Sequence, residues 1–130
     1  MESRIREELD NKWGIKLPKG RFSMEGKYVF FYTGDDLLLS GTRGLHIGSM
    51  ESDGLRPTID ACQLATKGFV DVDEKEAKTW MCGLDLRKKA SGDYVLIKFG
   101  PYVLGPGKPR GDWILNNLPK NRRLPLHSMG

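Results

Sequence analysis

Residues 93–123 read DYVLIKFGPYVLGPGKPRGDWILNNLPKNRR. From Asp93 to Phe99 the run is aliphatic and β-branched, which predicts a strand with Tyr94, Leu96 and Ile97 available for packing. Gly100-Pro101 turns the chain into a second strand over Tyr102 to Leu104. Gly105, Gly107, Pro109 and Gly111 predict an irregular, glycine-rich corner. Trp113 to Leu115 is a further strand, followed by Asn116 to Pro119 and a basic end. Helical periodicity is absent throughout, so this quarter of the chain is strand and turn.

Working back from that stretch, the pattern becomes mixed. Asp73 with Glu76 three residues on is a capping box that opens a helix to about Met81. Gly83 to Ser91 reads as a polar loop, and Phe69 to Val72 as a short strand. Thr58 caps a predicted helix over Ile59 to Thr66, with Ile59, Cys62 and Leu64 inward and Gly68 as its stop. Ser49 to Gly54 is polar and loop-like, after a short strand over Arg43 to Gly48. Lys27 to Thr33 is rich in aromatics and reads as a strand. At the start, Ile5, Leu9 and Trp13 recur at helical spacing until Gly14. Short strands with two or three helices predict an α+β domain built on a strongly bent sheet or pseudo-barrel.

The 130 residues suit one domain of ordinary size, about 100–150 residues. Apolar residues at 38% and charged residues at 29% exclude a disordered or collagenous chain. The longest aromatic-aliphatic run, Tyr28 to Tyr32, is far below the roughly 20 residues of a membrane span. Met1 to Asp10 alternates acids and bases, so neither a secretory signal nor a membrane association is expected, and a cytoplasmic location is. Residues 1–99 carry 16 bases and 16 acids; residues 100–130 carry Lys108, Arg110, Lys120, Arg122 and Arg123 against Asp112 alone. The entire excess of +4 therefore lies in the last quarter, where it reads either as a solvated tail or as an electrostatic footprint for phosphate.

Catalytic patterns fail on context. Gly105 to Gly111 follows a strand but opens no helix, so it is no dinucleotide fingerprint, and Gly107-Lys108 is followed by Pro109 where a phosphate loop needs a hydroxyl. Cys62 with His46 is the one nucleophile–base pair that sequence proximity allows, and a core cysteine beside a surface histidine is the better reading. Cys62 and Cys82 lack metal spacing and read as reduced thiols. No cofactor and no small-molecule substrate are expected. What remains is a surface: glycines that let backbone amides approach a ligand, Lys108 and Arg110 beside them, Asn116 and Asn117 as hydrogen-bonding groups, basic residues beyond, and Tyr102 and Trp113 as stacking faces or core. With no basic recognition helix, RNA suits this surface better than a DNA groove.

Residues 94 to 123 resemble the C-terminal PUA-like domain of Sun-type ribosomal RNA cytosine-5 methyltransferases. The motifs are Tyr94-Val95-Leu96-Ile97, Leu104-Gly105-Pro106-Gly107-Lys108, Ile114-Leu115-Asn116, and Pro119-Lys120 with Arg123. Upstream, Arg43-Gly44-Leu45-His46-Ile47-Gly48 and Arg56-Pro57-Thr58 are similar to that family's glycine strand and helix cap, so the likeness runs from about residue 20 to 123. The resemblance implies a PUA-like pseudo-barrel over 20–125, behind a helical extension over 1–19 and before a tail over 126–130, that binds folded tRNA or rRNA. By motif position it implicates Arg43, Lys108, Asn116, Lys120 and Arg123; charge and location add Arg56, Arg110 and Arg122. In departure from the family, neither cysteine has the Pro-Cys or Thr-Cys context of the methyltransferase nucleophile, no S-adenosylmethionine loop is present, and Pro106 stands where an aromatic is usual. The expectation is a non-enzyme that acts in RNA modification or ribosome biogenesis alongside a separate RNA methyltransferase. A protein-interaction module and a small RNA- or nucleotide-processing enzyme are the alternatives.

Overall fold

The computed structural model describes residues 2–33, 44–119 and 122. Along the chain run α1 (Glu2–Trp13), β1 (Arg21–Glu25), β2 (Tyr28–Tyr32), β3 (Leu45–Glu51), β4 (Gly54–Pro57), α2 (Ile59–Cys62), β5 (Phe69–Asp71), α3 (Glu74–Met81), β6 (Val95–Phe99), β7 (Tyr102–Arg110) and β8 (Trp113–Asn116). The strands form two four-stranded sheets, β1-β2-β3-β4 and β5-β6-β7-β8, and the α+β class is as expected. Among the described residues neither sheet closes into a barrel, because the chain leaves the first sheet through α2 and its next strand pairs with β6. Contacts divide the chain into two compact units, Met1–Lys67 and Gly68–Gly130, so α1 is built into the first unit and does not stand apart as an extension.

In the first unit, α1 buries Ile5, Leu9 and Trp13, the stripe read from their spacing. Gly14 stops the helix at φ 64°, and its N–H donates to Asp10 O at 2.9 Å while that of Ile15 donates to Leu9 O at 3.0 Å. A Cβ at Gly14 would meet the Thr66 hydroxyl, so glycine is needed for space as well as for backbone angle. The Trp13 carbonyl accepts from the N–H groups of Thr66 and Lys67, at 2.8 and 3.2 Å, which satisfies a helix-end acceptor. Arg6 donates to the carbonyls of Leu17 and Pro18, and its guanidinium lies over the rings of Phe22 and Phe31 at 5.2 and 5.6 Å. This single side chain ties α1 to β1 and β2.

One unanticipated strand appears here and two sequence expectations change. Strand β1 had no apolar run to announce it; it forms because Arg21–Glu25 pairs antiparallel along all of β2. Ser49 to Gly54 is no loop: β3 continues to Glu51, and β4 pairs back on it. Polarity misleads there because the polar groups satisfy one another. Ser49 Oγ donates to Glu51 Oε2 at 2.6 Å, and Lys27 and Arg56 lie 3.4 and 3.5 Å from the same oxygen. The Ser49 hydroxyl, aided by Arg56 and Lys27 against the effect of burial, holds the Glu51 carboxyl below its usual range. Finally, α2 ends at Cys62, short of Thr66, since residues 66 and 67 turn away to the end of α1; Leu64 is exposed as a result.

The second unit is a parallel β5-α3-β6 crossover followed by the antiparallel meander β6-β7-β8. Its capping box is present as read: Asp73 accepts from Glu76 N at 2.8 Å and the Glu76 carboxylate accepts from Asp73 N at 3.0 Å. Val72, Ala77, Trp80, Leu86, Val95, Ile97 and Ile114 form the core between α3 and one face of the sheet. The predicted polar loop contributes Leu86, which exchanges both backbone hydrogen bonds with Ile114.

The glycine-rich corner is a correction. Tyr102–Arg110 is one nine-residue strand, and Gly105, Pro106 and Gly107 are buried within it. Two prolines survive in a central strand because of where they fall. Leu96 directs its N–H to Gly68 O, away from β7, so its partner Pro106 faces the β8 side, and β8 ends at Asn116 opposite Gly107. Pro109 is opposite Ile114, whose backbone groups face Leu86; Pro109 therefore faces the β6 side, beyond the first residue of that strand. Neither missing donor interrupts a ladder. Gly105, at φ 131°, takes up a register shift where Ile97 pairs with Gly105 but Lys98 pairs with Val103. Gly107 leaves room for the indole of Trp80: an added Cβ would lie 2.8 Å from its ring and 2.6 Å from Ile114.

Candidate nucleic-acid interface

Alternation along the second sheet sorts its side chains into two faces. Val95, Ile97, Gly107, Ile114 and Asn116 share the face packed on α3. By register, the opposite face carries Phe69 and Asp71 of β5, Leu96 and Lys98 of β6, Lys108 and Arg110 of β7, and Trp113 and Leu115 of β8. Two cation–aromatic clusters result. At one end Lys98 Nζ sits 4.5 Å from the centre of the Phe69 ring, beside Asp71, its neighbour across the strand pair. At the other, Lys108 Nζ lies 5.6 Å from the Tyr94 ring centre, with Arg110 opposite Trp113 at the mouth of the β7–β8 hairpin. Leu96, 0% exposed, and buried Pro106 separate them.

The hairpin cluster is the stronger candidate. Arg110 and Trp113 are both exposed, and Trp113 is 45% accessible although tryptophan is seldom left so open. Lys108 and Arg110 project from the same face about 6.6 Å apart, from two residues of strand rise. Asp112, the acid of the turn, is paired with Lys89 at 3.5 Å. The face thus presents cations next to a flat apolar surface, a combination suited to phosphate and base together.

The other expected site residues have surroundings of their own. Arg56 belongs to the first unit and faces Glu51. Asn116 is a structural clamp: its amide nitrogen donates to Trp80 O at 2.8 Å and Leu84 O at 3.0 Å, its oxygen accepts from Leu118 N at 2.7 Å, and its own N–H donates to Asp85. Both amide protons are therefore committed inward, which argues against a contact with RNA. Gly105 and Gly107, buried in strand, offer no open amide cradle. Arg122 is exposed, with its N–H bonded to Pro119 O at 2.9 Å. Arg43, Lys120 and Arg123 lie outside the described residues. Lys98 escaped the sequence reading, although the period-two alternation of Tyr94, Leu96 and Lys98 already places it on the face of Tyr94, which was read as a packing residue and is buried.

The nucleophile candidate also fails on geometry. Cys62 is fully buried, and desolvation pushes its thiol up to about 12, so it is un-ionised at neutral pH. His46 stacks on Phe30 with ring centres 4.9 Å apart and contacts Gly48 O, a packing role. Among the described residues no group of three His, Cys, Asp or Glu side chains is placed to hold a metal ion. No described helix is long and apolar enough to cross a membrane.

Residues 67–124 match the family model of the methyltransferase RsmF PUA domain. The matched span coincides with the second unit and agrees with the resemblance read from its motifs to the PUA-like domain of Sun-type methyltransferases. The likeness read upstream of residue 67 lies outside it. No curated protein matches the chain.

Proposed function

We propose that this chain is a non-catalytic RNA-binding module that engages structured tRNA or rRNA through the β7–β8 end of its second sheet, and that it serves a separate RNA methyltransferase in RNA modification or ribosome biogenesis. The observation that carries the reading is the placement of Lys108, Arg110 and Trp113 on one face of a unit that matches a methyltransferase PUA domain. Lys120, Arg122 and Arg123 continue the positive charge in sequence beyond that hairpin. Such a surface binds by releasing counterions from phosphates, so affinity falls steeply as salt is raised.

Filter binding of the full chain to folded tRNA and to an rRNA fragment, at two salt concentrations, tests this. Salt-sensitive binding supports the reading; undetectable binding, or affinity indifferent to salt, removes it. A second reading, docking on a partner RNA-modifying enzyme, is favoured by a groove of about 320 Å³ in the first unit, lined by Leu17, Phe31, Leu45 and Leu64. Co-purification with a methyltransferase from nuclease-treated extract, without RNA affinity in the isolated chain, would favour that second reading.

A further inference from the structure

We infer that the β7–β8 hairpin holds an unpaired nucleotide, its base stacked on Trp113 and a flanking phosphate on Arg110, so that the ligand is a single-stranded or looped stretch of RNA and not a duplex. The inference rests on the RNA-binding reading and narrows its ligand. Three tryptophans occur in the sequence, and the structure treats them differently: Trp13 and Trp80 are wholly buried, while Trp113 is open to solvent. Its strand neighbours are fixed. Ile114 is buried and doubly bonded to Leu86, and Asn116 is clamped to Trp80 and Leu84. The indole therefore stands on a pre-organised ribbon, and little ordering is needed when a ring settles on it.

Charge decides what kind of ring. Arg110 is the direct cross-strand partner of Trp113, and Lys108 follows two residues along on the same face. An apolar peptide offers nothing to the Arg110 guanidinium, whereas a nucleotide supplies both a π-face and an anion. A duplex supplies only the anion, because its base faces are closed within the stack. The indole beside the arginine thus favours bases with an open face.

The test uses the full chain with an unstructured oligoribonucleotide and a blunt RNA duplex of equal nucleotide content, read by tryptophan emission and by competition. The single strand should quench emission and displace the duplex. Trp113→Ala should weaken single-strand binding by about tenfold, and Trp113→Phe, which keeps a stacking face, by no more than about threefold. Salt-sensitive RNA binding with equal affinity for both probes, or unchanged by Trp113→Ala, overturns the stacking inference while leaving RNA binding intact. Absence of salt-sensitive binding to both probes, and to folded tRNA, overturns both. Should Trp113→Ala fail to fold, the wild-type chain decides: saturating single strand without quenching removes the proposal.

Discussion

The two units carry charge in different ways. Residues 1–67 hold ten bases and ten acids, whereas residues 68–130 hold eleven bases against seven acids. In the first unit four cations have structural partners: Arg6 binds carbonyls and two rings, Lys12 pairs with Glu8, and Lys27 and Arg56 converge on Glu51. In the second unit Lys88 and Lys89 are paired with Glu76 and Asp112, yet the β7–β8 hairpin still sets Arg110 beside an exposed indole. Net charge names the unit; sheet register picks the face.

The comparison can be broken most severely at Asn116. Asn116→Ala strips three hydrogen bonds, taking their side-chain partner from Leu84 O and Leu118 N while Trp80 O keeps the Gly83 N–H, a cost of about 2–4 kcal/mol. Thr58→Ala, which removes the α2 cap of the first unit, costs only about 1 kcal/mol. Urea denaturation of both variants checks the ranking, and equal midpoints would contradict the clamp. Gly107→Ala forces a methyl group against Trp80 and Ile114 and destabilises the second unit by about 1–3 kcal/mol. A thermal melt at the wild-type midpoint would show that the sheet yields there freely.

Affinity separates the units next. Lys108→Ala with Arg110→Ala should weaken RNA binding about tenfold and reduce its salt slope, whereas Arg56→Ala should change it by less than about twofold. Equal losses would return Arg56 to the interface. The smallest effect is acid dependence in the first unit. Because the folded state depresses the Glu51 carboxyl below 4.5, its stabilising contribution is complete above that value and is lost as pH falls through the lower folded value. Glu51→Gln should flatten the decline of stability below about pH 4.5; an unchanged acid limb would remove Glu51 as its source.

Local patterns were legible wherever a short window contains its own cause. Ile5, Leu9 and Trp13 make a helical stripe, and Asp73 with Glu76 makes a cap, whatever surrounds them. Strand β1 was illegible because its partner, β2, creates it. Gly105 to Gly111 looked like a loop because a window cannot show which side of a proline faces an empty edge. Asn116 matched a family motif, but only the fold reveals that its amide holds two carbonyls thirty-odd residues away.

The sequence by itself determined the α+β class, the basic bias of the last quarter and the likeness to a PUA-like domain, since composition, periodicity and motif order are properties of neighbours along the chain. Tertiary structure alone decided that Gly107 is a packing position, that Asn116 is a clamp, and that Lys108, Arg110 and Trp113 share a face. Those outcomes depend on register, and register is fixed by which side chains from distant strands and helices must be buried together.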